Sequence, residues 1–84
     1  MFAGAILAAL DEVLRRAGER APTLAEIQEI QRRLTAAGFD TGGSDGRVGN
    51  DTMRAVVNFQ RKIGMQPADG YAGVRLLARL REAG

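Results

Sequence analysis

The chain contains no cysteine, no histidine and no tryptophan. Without cysteine and histidine there are no disulfides, no thiol nucleophile, no Ser-His or Cys-His pair and no Cys/His zinc site. No metal and no cofactor are therefore expected. Long hydrophobic runs are also missing. The apolar start, Met1 to Leu10, meets Asp11-Glu12 and carries no basic leader. It is too short to span a membrane and poor as a signal peptide. If the protein works outside the cytoplasm, its export signal is expected elsewhere. An excess of one charge is lacking too: 12 basic residues face 10 acidic ones, for a net charge of +2. The longest basic runs are pairs, Arg15-Arg16, Arg32-Arg33 and Arg61-Lys62. Nucleic-acid binding usually needs a concentrated basic face, so no nucleic-acid partner is expected.

What is present is the balance of a small globular domain, 84 residues that are 45% hydrophobic and 26% charged. A chain this short buries only about 60–65% of its unfolded surface. Its apolar stripes are needed for the core, which leaves little material for a deep catalytic cavity. Helical spacing places Phe2, Ile6, Leu10, Val13, Leu14 and Ala17 on one stripe, ended by Gly18. Thr23, with Glu26 three positions on, reads as a capping box opening a second helix. That helix carries Leu24, Ile27, Ile30, Leu34 and Ala37 and stops at Gly38, with Phe39 packing back. A third starts near Asn50 with Met53, Val56, Val57, Phe59 and Ile63, and stops at Gly64-Met65. A fourth runs from about Val74 to Arg81. No segment alternates as a strand does, so the fold class is all-α.

The chain also repeats itself. Ile30-Gln31-Arg32-Arg33 before Gly38-Phe39 is echoed by Phe59-Gln60-Arg61-Lys62 before Gly64-Met65. Each stop is followed by Asp-Gly-x-x-Gly: Asp45-Gly46-Arg47-Val48-Gly49, then Asp69-Gly70-Tyr71-Ala72-Gly73. An Asp-Gly pair suits a tight turn, because Asp bonds its own downstream backbone and Gly accepts positive φ. Gly49 and Gly73 then fall at helix N-caps, where backbone N–H groups and the dipole's positive end face outward. Two such starts side by side would form a shallow groove for carboxylate, carbonyl or acetamido oxygens.

Asp45 and Asp69 read first as structural, and Gln31 and Gln60 as props for the turn backbone. Thr52 is either a local cap or a groove wall. Arg47, Asn50 and Arg54 have no packing duty and are either solvated surface or ligand contacts. Tyr71 either stacks on a sugar or closes the core with its hydroxyl outward.

Ile30-Gln31-x-x-Leu34, Gly38-Phe39, Asp45-Gly46-x-x-Gly49-x-x-Thr52, Ala55-Val56 and Phe59-Gln60 together resemble the peptidoglycan-binding domain 1 family. The likeness spans roughly Leu24 to Leu80. Pro67 to Tyr71, followed by Leu76-Leu77-x-x-Leu80, looks like the C-terminal domain of B-type lytic murein transglycosylases. The resemblance implies a three-helix binding core, here within residues 23–84. Met1 to Gly18 lie outside the likeness, and residues 1–22 are read from spacing as an N-terminal helix and linker that packs on the bundle, mediates self-association or belongs to a neighbouring domain. The resemblance further implies non-covalent binding of peptidoglycan, by glycan strand or stem peptide, in the periplasm or cell wall. A catalytic cell-wall hydrolase is the implied tethered partner. The candidate ligand contacts are Asp45, Gly46, Arg47, Gly49, Asn50, Thr52, Arg54, Asp69, Gly70 and Tyr71. Two departures are visible. Asn50 stands where the family often has proline, which affects stability through lost preorganisation. Leu76 replaces a Thr in the second unit, which puts a second symmetrical pocket in doubt.

Other functions fit less well. A transglycosylase needs a general acid in the cleft of a larger domain, and Glu12, Glu19, Glu26, Glu29 and Glu82 sit at polar helix or linker positions. A DNA-binding helix-turn-helix has a turn of three or four residues, shorter than Gly38 to Gly49. A calcium loop centred on Gly46 puts Thr52 where a bidentate Glu belongs. A protein-interaction module of the same fold is the remaining alternative, favoured if the first helix exposes Ile6, Leu10 and Val13.

Overall fold

Thr23 has the extended backbone of an N-cap, and its hydroxyl accepts the Glu26 N–H while the Glu26 carboxylate accepts the Thr23 N–H. This reciprocal cap starts α1 (Leu24–Ala36) in the computed structural model, which describes residues 14–83. Two more helices follow, α2 (Asn50–Ile63) and α3 (Val74–Ala83), with no strand among the described residues. The all-α expectation holds. Most of the N-terminal helix expected from Phe2 to Ala17, with its Ile6, Leu10 and Val13 stripe, lies outside the described residues. Residues 14–17 are helical, and the Gly18 N–H closes that turn on the Leu14 carbonyl at 3.2 Å.

The two glycine stops are built alike. Beyond α1 the Phe39 N–H returns to the Leu34 carbonyl (2.8 Å), and beyond α2 the Met65 N–H returns to the Gln60 carbonyl (2.9 Å). Closure over five residues turns the next apolar side chain inward. Met65 is buried, and Phe39 sets its ring against Phe59 at 5.8 Å and 83°.

Ile30 and Leu34 of α1, Ala55, Val56 and Phe59 of α2, and Leu76, Leu77 and Leu80 of α3 meet in one core with Met65 and Ala72. Helical spacing located most of these positions but not Ala55, and of the residues it placed on apolar stripes Leu14, Ala17, Leu24, Ala37 and Met53 are exposed. Leu24 is 61% exposed and Met53 45%. Both precede the point where the helices converge, and both instead flank the Asp-Gly turns. Glu29 of α1 ties down α3: Arg81 donates to both its oxygens (2.7 and 2.8 Å), and Arg33 adds a third bond at 2.7 Å. These donors, Arg81 first and Arg33 second, hold the Glu29 carboxyl at a pKa of about 2.

Candidate functional site

Each Asp-Gly turn is held by a buried glutamine. In the first unit the Gly46 N–H donates to Gln31 Oε1 at 2.9 Å, while Gln31 Nε2 donates to the Arg47 carbonyl (2.8 Å) and to Thr52 Oγ1 (3.1 Å). In the second the Gly70 N–H donates to Gln60 Oε1 at 2.9 Å, and Gln60 Nε2 lies 3.5 Å from Asp69 Oδ1. The aspartates bond their own turns: Asp45 Oδ1 accepts the Arg47 N–H (2.9 Å) and Asp69 Oδ1 the Tyr71 N–H (3.1 Å). Gly46 and Gly70 adopt φ of +83° and +79°, the left-handed backbone that an L side chain resists. Gln31, Gln60, Asp45 and Asp69 are thus structural first. Thr52 is buried and lines the first hollow, with its hydroxyl accepting from Gln31.

The candidate residues gather in two hollows on either flank of α2's first turns. The first, about 490 Å³, is lined by Asp45, Arg47, Gly49, Asn50, Thr52 and Arg54. Gly49 is the N-cap of α2 and makes no side-chain capping bond, so the helix start faces this hollow. Asn50 and the side chains of Arg47 and Arg54 are exposed there, and Arg54 lies 3.7 Å from Asp51. The second hollow, about 350 Å³, holds Asp69, Gly70 and Tyr71 among apolar neighbours that include Ile27, Val48 and Met53. Gly46 lines neither; its turn packs under Leu24 and Gln28.

The second helix start departs from expectation. Gly73 does precede α3, with the Leu77 N–H returning to its carbonyl. Yet the Arg75 N–H is not open to a ligand, because Glu19 Oε1 accepts it at 3.0 Å. Arg16 lies 3.7 Å above the Tyr71 ring, and its Nε is 3.2 Å from Asp69 Oδ2. The sequence reading missed Arg16 and Glu19, which lie outside the repeat, and Thr41, Gly42, Gly43 and Asp51, which also line the first hollow. A linker Glu near a Pro carries no local sign of where it docks. The Thr-Gly-Gly loop sat beside the recognised motif and was findable by adjacency.

A helix pair ending in matched glycine stops, with a glutamine-braced Asp-Gly turn after each, is also what the family model of the "Putative peptidoglycan binding domain" matches, over residues 23–80. The chain belongs to this family. Among relatives of this peptidoglycan-binding domain is a spore cortex-lytic enzyme of Bacillus cereus, 46% identical over 60% of the chain and 19% of the enzyme. A probable N-acetylmuramoyl-L-alanine amidase of Bacillus licheniformis is 45% identical over 56% of the chain and 14% of that protein. Among solved structures, SltB3 from Pseudomonas aeruginosa, in complex with NAG-anhNAM-pentapeptide, superposes with a TM-score of 0.69 at 42% identity. That likeness covers 75% of this chain and 17% of SltB3. The domain thus spans less than a fifth of each of these relatives.

Among the described residues no cluster of acidic side chains has the makings of a metal site, and no helix is long and apolar enough to cross a membrane.

Proposed function

We propose that this domain binds peptidoglycan without cleaving it and holds an associated wall-lytic enzyme on its polymeric substrate, in the periplasm or cell wall. The binding unit is residues 23–84, with residues 1–22 as its N-terminal helix and linker. The observation that carries the reading is the uncapped start of α2, which faces a polar hollow flanked by Arg47 and Arg54. Backbone donors at a helix start, with guanidinium groups beside them, favour carboxylate and amide oxygens. Stem peptides and N-acetyl sugars display both. Asp45, Gly49, Asn50 and Thr52 line this contact and Gly46 turns the chain behind it, while Asp69, Gly70 and Tyr71 line the neighbouring hollow. SltB3's complex with a muropeptide adds support by analogy.

Three of the described glutamates argue against catalysis by this chain. A glycosidic general acid needs a carboxyl whose pKa is raised. Glu26 and Glu29 are instead held at about 2, Glu26 chiefly by Arg20 and Glu29 chiefly by Arg81. Glu19 is spent on the α3 backbone. A shallow polar hollow gives micromolar to millimolar affinity, about −4 to −8 kcal/mol, which suffices on a repeating polymer when the partner is tethered.

Co-sedimentation with purified sacculi tests the reading. Arg47→Ala/Arg54→Ala is expected to weaken binding about tenfold, equivalent to roughly 1.4 kcal/mol, with no clearing of a sacculus-containing gel by either protein. Equal binding by the variant, or a cleared zone, overturns it. A second reading, a protein-docking module, draws on exposed Leu24, Val48 and Met53. It predicts that Met53→Ser removes a partner and leaves sacculus binding intact.

A further inference from the structure

The two Asp-Gly units share one backbone plan but differ in what sits on them. On the second, residues 16–20 lie across the turn and the start of α3. Glu19 gives a carboxylate to the Arg75 N–H, as a bound anion would at a helix start. Arg16 covers the Tyr71 ring as a cation over a π face and pairs with Asp69. Arg20 fixes the far end of the segment through two bonds to Glu26, at 2.8 and 2.6 Å. The fit is close: a Cβ on Gly73 would run into both Glu19 Oε1 and the Tyr71 ring.

We infer that residues 16–20 are a strap that serves the second Asp-Gly unit as a built-in ligand and shuts it against the wall polymer. The inference rests on the wall-binding reading above. The groups that the strap occupies (a helix-start N–H, an aromatic face and an Asp beside it) are of the kind that a muropeptide's carboxylates and sugar rings would use. The strap is also displaceable. Its named contacts to the unit are polar or charged rather than apolar burial, and both Arg16 Nε, close to Asp69 only as an ion pair, and Glu19 Oε2 are buried with no hydrogen-bond partner. Attachment to the same chain supplies a high effective concentration, so weak contacts keep it closed.

The test is an NMR titration of the labelled 84-residue chain with a disaccharide-pentapeptide muropeptide. In the wild type the shifts are expected over residues 41–54 and not over residues 69–75. Arg16→Ala/Glu19→Ala is expected to drop the order parameters of residues 16–20 from about 0.85 to below about 0.6 and to bring residues 69–75 into the response. Gly73→Ala, whose Cβ would collide with both Glu19 Oε1 and the Tyr71 ring while leaving the strap's charges in place, is expected to release the strap as well. Far-UV circular dichroism confirms that the helices persist. If residues 69–75 stay silent in both variants, or respond equally in the wild type, the strap is not a competing ligand and the inference falls. Silence over residues 41–54 beside a response over 69–75 on release instead removes the first unit as the wall site and keeps the strap.

Discussion

The first and second Asp-Gly units carry the same turn, each with a left-handed glycine bonded to a buried glutamine, and they end in different chemistry. The first leads into a helix start that faces solvent through Gly49, where nothing lies within 4 Å of an added Cβ. The second leads into a start already occupied by Glu19, with Gly73 hemmed in by that carboxylate and by Tyr71. A backbone motif alone therefore does not define a binding site. What covers the motif decides whether its donors are available.

The largest effect expected from disturbing this comparison comes from the glutamines. Gln31→Ala removes a buried side chain that makes three hydrogen bonds. A core truncation that also orphans turn groups costs about 3 kcal/mol, a drop in Tm of roughly 12–24 °C for a domain of this size. Gln60→Ala is expected to cost less, because the 3.5 Å contact to Asp69 is weak. Equal losses in thermal denaturation would mean that the two braces are equivalent.

Next come the turn glycines, both at positive φ, where a side chain costs about 1–3 kcal/mol. Gly70→Ala is expected to be the more damaging. Its Cβ would meet the Met53 carbonyl, which is backbone, and Val57 Cγ2, each at 3.2 Å, whereas at Gly46 the obstacle is chiefly the swinging tip of exposed Leu24. A larger loss for Gly46→Ala in urea denaturation would reverse that ranking.

Acid is expected to produce the smallest effect, acting on the strap through Glu26 and on the contact between α1 and α3 through Glu29. Glu26 anchors Arg20 and Glu29 anchors Arg81, and both carboxyls sit at about 2 against an ordinary 4.5. Because the folded value is the lower one, their contribution is complete above about pH 4.5 and is lost as pH falls towards 2. Thermal melts across that window should show the decline, Arg81→Gln should flatten it, and salt should shrink it, because these ion pairs are near the surface.

Much of this was legible in the residues. Thr23 and Glu26 mark their capping box, the glycine stops mark the helix ends, and the spaced Ile30, Leu34, Val56, Phe59, Leu76 and Leu77 mark the core. The structural weight on Asp45, Asp69, Gln31 and Gln60 also followed from turn chemistry. Leu14, Ala17, Leu24, Ala37 and Met53 were misplaced, since spacing reports the face of a helix but not where along its length a neighbour begins or ends.

By itself, the order of residues determined the helices, their ends, the duplicated turns and the family, because each depends on contacts between residues a few positions apart. Only tertiary structure decided which turn stays open. Glu19 reaches the Arg75 N–H across 56 positions of chain, and no local spacing rule reports a contact that folding alone brings together.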